Sequence, residues 1–84
     1  GALASAARST LQFYQSLKDI SAVTGRTDEE MRLIGDAALY VAKTTPIAAA
    51  EASKMALKLI QAGLNIGQTA EAMKTVSAIV TVSG

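Results

Sequence analysis

The sequence predicts an all-α fold of four short helices, a compact Ala-rich helical bundle, and three observations carry that prediction. Apolar residues recur at threes and fours along most of the chain, and glycine or proline falls at three breaks between those runs. Only the stretch 79–82 alternates in a way that suits a strand. The 84 residues have room for one domain, 1–84, and one core. With 50% hydrophobic and 18% charged residues, the composition lies well away from that of disordered chains. Alanine makes up about a fifth of the sequence and aromatics only 4%, so the predicted core is thin, because small side chains bury little area each.

The first helix is predicted over about 2–24. Leu3, Ala6, Ala7, Leu11, Phe13, Tyr14, Leu17 and Ile20 fall mostly on one face. Gly25 follows, and a glycine there can adopt the left-handed conformation that ends a helix. The second helix, about 28–44, opens on Thr27-Asp28-Glu29-Glu30, which fits a capping box between Thr27 and Glu30. Three acids in that first turn also oppose the positive end of the helix dipole. Met31, Ile34, Ala38 and Val41 form its apolar stripe, with Leu33, Ala37 and Tyr40 widening it.

Pro46 biases Thr45 away from helical angles, so Thr44-Thr45-Pro46 is a break. The third helix, about 48–62, carries Ala52, Met55, Ala56, Leu59 and Ile60 and ends at Gly63. The turn Gly63-Leu64-Asn65-Ile66-Gly67 leads into a fourth helix over about 67–82, with Ala70, Met73, Val76 or Ser77, and Val80 at helical spacing. Its last eight residues leave a short strand open as an alternative, since Ile79-Val80-Thr81-Val82 is largely β-branched. Glu51-Ala52-Ser53-Lys54 and Glu71-Ala72-Met73-Lys74 echo one another, but both read as ordinary amphipathic helix starts.

Composition excludes several classes of chemistry. With neither cysteine nor histidine there is no thiolate, disulfide, imidazole base or soft metal ligand, and no metal or cofactor is expected. Asp28, Glu29 and Glu30 are the one acidic cluster, and consecutive helical residues fan out by about 100° each, so they do not converge on one substrate atom. Ser53 and Ser77 have no histidine to activate them, and Lys43-Thr44 lacks the glycine frame of a phosphate loop. The reading is therefore non-enzymatic, with no catalytic residues and no small-molecule substrate.

A net charge of +1 without a basic run argues against sequence-specific nucleic-acid binding, and Phe13, Tyr14 and Tyr40 read as packing residues rather than base-stacking platforms. No run approaches the roughly 20 apolar residues that span a bilayer. The start at Gly1 rather than Met, and the end in Val82-Ser83-Gly84, are read as those of a piece of something longer.

Thr44-Thr45-Pro46-Ile47, then Glu51-Ala52-Ser53-Lys54-Met55-Ala56, then Leu59-Ile60-Gln61-Ala62-Gly63-Leu64 resembles the core region of phage tail tape measure proteins. That family reads T-x-F-S, then E-A-A-x-A-M, then L-A-x-A-G-[FL], followed by a second Ala-rich helix. Thr27-Asp28-Glu29-Glu30-Met31 is similar to its S-x-E-E-[ML] helix start, and Val82-Ser83-Gly84 stands where it often has L-A-x-A-G. About two thirds of the chain is covered. Ile47-Ala48 replaces the family's aromatic and serine, which removes an N-cap, and Gly67 stands where a polar helix former is common.

The resemblance implies a segment of a long helical protein that occupies the tail tube or tip, sets tail length through its own length and leaves ahead of the DNA. Its location would be the virion, and the host cytoplasm during assembly. Its partners would be other copies of itself and tail tube or tip proteins, with host membrane contact during ejection. The residues expected to pack or assemble are Ala52, Met55, Ala56, Leu59, Ile60 and Gly63, with Thr27, Glu30 and Pro46 as helix caps and breaks. Two alternatives stand beside this: a module holding a partner helix in a groove lined by Met31, Met55 and Met73, and a membrane-active segment built on the fourth helix.

Overall fold

Three short connections force consecutive helices to turn back on one another, because a link of three or four residues cannot carry the chain to a distant site. The computed structural model describes residues 2–83, and side chains from 10 to 82. Among these residues the elements are α1 (Ala2–Thr24), α2 (Asp28–Thr44), α3 (Ala49–Gln61) and α4 (Ile66–Ser83), with no strand. The stretch 79–82 is helical and continues α4, so the strand alternative does not form.

Each boundary has a local cause. Gly25 takes φ +68° and its N–H donates to the Ser21 carbonyl, closing α1. At the start of α2 the Glu30 N–H donates to Thr27 Oγ1 at 3.2 Å while the Thr27 N–H donates to Glu30 Oε1 at 3.1 Å, so the capping box is complete. Thr45 ends α2 in extended geometry: its hydroxyl donates to the Val41 carbonyl and accepts from the Ile47 N–H, with Pro46 between. Gly63, at φ +106°, closes α3 in a Schellman motif, its own N–H reaching Ile60 and that of Leu64 reaching Leu59.

The fourth boundary corrects the expected turn. Ile66 and Gly67 belong to the first turn of α4 rather than to the loop, because Asn65 and Gln68 cap each other's N–H groups at 2.8 and 3.0 Å. N-x-x-Q is a capping box as good as T-x-x-E, and Gly67 obscures it in the sequence.

α2 and α3 form the centre. Each touches the three other helices, whereas no contact joins α1 and α4 among the described residues. α1 lies mainly along α3, α4 along α2, and the contact between α1 and α2 is the lightest. The bundle is therefore open rather than closed, and flattened, with principal extents of 39 × 31 × 17 Å. Its radius of gyration, 12.6 Å, slightly exceeds the about 12 Å usual for this length.

The core gathers Phe13 and Ile20 from α1, Met31, Ile34, Ala37, Ala38 and Val41 from α2, Ala52, Ala56 and Ile60 from α3, and Ile66 and Met73 from α4. The predicted stripes are narrower than the sequence suggests. Leu11, Tyr14, Leu33 and Tyr40 are exposed, since each lies at the flank of its helix's apolar arc and no further helix covers that flank. Leu3, Ala6 and Ala7 lie outside the described side chains.

Ala48 caps α3 in the extended conformation an N-cap requires, yet offers no side-chain acceptor. Glu51 already occupies the position three residues on. Ala48→Ser therefore completes a capping box, and a gain of about 1 kcal/mol is expected. For a domain of this size that raises the thermal midpoint by roughly 4–8 °C, as a circular-dichroism melt would read.

Candidate functional site

The residues expected to pack or assemble sit mostly inside the chain. Ala52 and Ala56 are fully enclosed, Ile60 is buried, and Met55 and Leu59 are half-buried against the same cluster. α3 thus spends its apolar face on its own neighbours. Gly63 is exposed in the α3 to α4 turn, where its positive φ rather than any contact requires glycine. Pro46 is exposed in the break, and Thr27 and Glu30 form the cap already described.

A groove of three methionines does not form. Met73 has no exposed surface and Met31 little, because both fill the core, while Met55 is half-buried on α3. Only Met31 reaches a surface groove, the one between α1 and α2.

That groove is a hollow of about 480 Å³. Phe13, Leu17, Met31 and Gly35 form its floor, and Tyr14 and Leu39 stand on its rim. The Phe13 and Tyr14 rings lie 5.7 Å apart and tilted by 46°, so one ring anchors in the core and the other faces out. Gly35 permits the approach of α1: a Cβ there would lie 3.3 Å from Leu17 Cδ1. Asp28, Arg32 and Asp36 from α2 and Lys18 from α1 surround the apolar floor.

A second apolar patch, Ala78, Ile79 and Val82, lies on the outer side of α4 near its end. The inner side of α4 carries hydroxyls instead. Thr69 and Ser77 are buried, and Thr69 donates to the carbonyl of Asn65. Thr44 donates to the Tyr40 carbonyl, and its hydroxyl is also hydrogen-bonded to that of Ser77. Thr81 donates to the carbonyls of Ser77 and, more weakly, Thr44. These bonds tie the end of α4 to the end of α2. The sequence places Ser77 on the inner stripe only as an alternative to Val76, and helical spacing alone does not separate the two.

Among the described residues no three His, Cys, Asp or Glu side chains are grouped to hold a metal, and no helix is long and apolar enough to cross a membrane. Ser53 is buried and donates to the Ala49 carbonyl of its own helix. The Lys54–Glu51 pair, at 3.5 Å, is solvent-exposed and contributes little. No family model matches the chain, and no match is found among curated proteins or solved structures.

One titration is set by the fold. The backbone N–H of Thr27 holds the Glu30 carboxyl below the ordinary carboxylate range, helped by the Thr27 hydroxyl and the Arg26 guanidinium 3.6 Å away. The folded state favours the ionised form, so this contribution is complete above the ordinary carboxylate range and is lost as pH falls through the lowered value. Melts between about pH 6 and about pH 2 are expected to show a falling midpoint, and Glu30→Gln should flatten that fall.

Proposed function

We propose that this chain is a structural, non-catalytic assembly module, and that it forms a segment of a phage tail tape measure protein. The tail assignment is supported by the order and spacing of the motifs at 27–31, 44–47, 51–56 and 59–64. The assembly role is supported by one structural quantity. The chain exposes 5450 Å², whereas a monomeric globular protein of 8.6 kDa exposes about 4,700 Å². Part of that surplus is apolar, since Leu11, Tyr14, Leu33, Leu39, Tyr40, Ile79 and Val82 are all exposed. A chain with a thin core and unspent apolar surface gains stability by packing on another chain.

The partners on this reading are further copies of the chain and tube or tip proteins, in the virion or, during assembly, in the host cytoplasm. The second reading, a module that holds a partner helix, is favoured by the α1/α2 groove, whose floor is apolar.

Light-scattering mass and circular dichroism over a dilution series test the assembly role. A helical oligomer whose helicity falls on dilution is expected, because association stabilises the folded chain. A folded monomer at every concentration overturns it. The tail assignment is tested by duplicating the segment in frame and measuring tail length by electron microscopy. A second compact copy adds at most its long axis of 39 Å, whereas 84 residues drawn into one continuous helix would add about 125 Å. Tails of unchanged length would count against a measuring role.

A further inference from the structure

We propose that the α1/α2 groove is the face through which two copies of this chain pair about a two-fold axis. This rests on the assembly reading in one respect, that the chain self-associates; the face, the partner and the symmetry come from the groove itself.

The groove is left over by the fold. α3 lies against both α1 and α2, while α4 keeps to α2 and α3, so among the described residues no further helix covers the groove between α1 and α2. Tyr14 and Leu39 remain 59% and 49% exposed there, over a floor of Phe13, Leu17 and Met31. Hollow and projections thus belong to one patch. A patch carrying both can be filled by its own copy, which is what an isologous interface requires.

Charge points the same way. The groove is bordered by Lys18 and Arg32 and by Asp28 and Asp36, two of each sign. A two-fold axis sets a patch against itself, so a border of one sign would repel its copy, whereas a balanced one can pair cation with anion. A strongly acidic or basic segment would meet like charge along half of this border.

The outer patch of α4 is a poorer centre, because the hollow lined by Thr75, Ala78, Ile79 and Val82 is smaller, lies on one helix alone and has no charged side chain in its lining.

The sequence contains no cysteine, so an introduced one reports alone. The single variants Tyr14→Cys, Leu39→Cys, Leu33→Cys and Ile79→Cys are oxidised mildly at a concentration where scattering shows association. Tyr14→Cys or Leu39→Cys is expected to form disulfide-linked dimers at least tenfold faster than Leu33→Cys or Ile79→Cys. Leu33 and Leu39 provide a matched pair for affinity. They are 51% and 49% exposed on the same helix, but six residues apart and so about 120° around it. Leu39→Asp should weaken association at least tenfold, and Leu33→Asp less than twofold, each checked for native helicity at high concentration.

If the chain associates but cross-links only through Ile79→Cys or Leu33→Cys, or if the two Asp variants weaken it equally, the proposed face is wrong and the assembly reading survives. A monomer at every concentration overturns both. Undiminished association of Leu39→Asp together with slow Tyr14→Cys and Leu39→Cys cross-linking leaves the groove to a different partner and overturns the pairing.

Discussion

The close approach of α2 and α3 is the constraint on which the other features depend. Ala37 and Ala38 on α2 and Ala52 and Ala56 on α3 lie in one core cluster with almost no exposed surface. Alanine there lets two backbones come near enough for both helices to touch everything else in the fold. A larger side chain at any of these positions would overpack the centre, which costs about 1–3 kcal/mol in a filled core. The same choice limits what the core can contribute, because an enclosed alanine removes far less apolar area from water than the 1.5–3 kcal/mol worth of a fully buried leucine or isoleucine, on the order of one methyl group. Large side chains such as Leu17, Met55 and Leu59 pack against this core only in part and are left half in water.

α4 shows how the structure holds a helix with little hydrophobic gain. Ile66 and Met73 are its buried apolar anchors, and Thr69 and Ser77 fill the remaining enclosed positions. A buried hydroxyl is tolerable only when it is hydrogen-bonded, and both are, Thr69 to the Asn65 carbonyl and Ser77 to the Thr44 hydroxyl. Thr81 adds a bond to the Thr44 carbonyl. The end of α4 is thereby fixed to the end of α2 by hydroxyls rather than by apolar contact, while Ile79 and Val82 point away from the core. The result inverts the usual arrangement of an amphipathic helix over its last turns.

What the sequence made legible was local. The four helices, the Thr27–Glu30 box, the stops at Gly25 and Gly63 and the break at Pro46 each follow from residues within a few positions of one another, and short-range geometry decides them. The Asn65–Gln68 box was legible in the same terms, but Gly67 made the segment look like a turn. The groove was not legible. Tyr14 and Leu33 belong by periodicity to the apolar stripes, and whether a flank is covered depends on where other helices lie. That α1 and α4 do not touch among the described residues follows from the crossing of four helices in space, which no spacing of residues along the chain encodes. Met31, Met55 and Met73 illustrate the same limit: similar side chains on three helices read as one groove, and two of them are core.

The open arrangement also determines how a contact on the α1/α2 face acts on the rest of the molecule. Among the described residues α1 is held by its long contact with α3 and its light one with α2. A partner seated across α1 and α2 would add apolar contact at the weakest join between helices. Its stabilising effect, RT ln(1 + [L]/Kd), would fall on the global equilibrium, because separating α1 from α2 also exposes Phe13 and Met31 in the shared core. Gly35 is the pivot of that coupling. Its missing Cβ lets Leu17 close over α2, and Leu17 is at once part of the groove floor and packed against the core. Association and folding therefore share side chains, and in a core built on alanine each is a large fraction of the other.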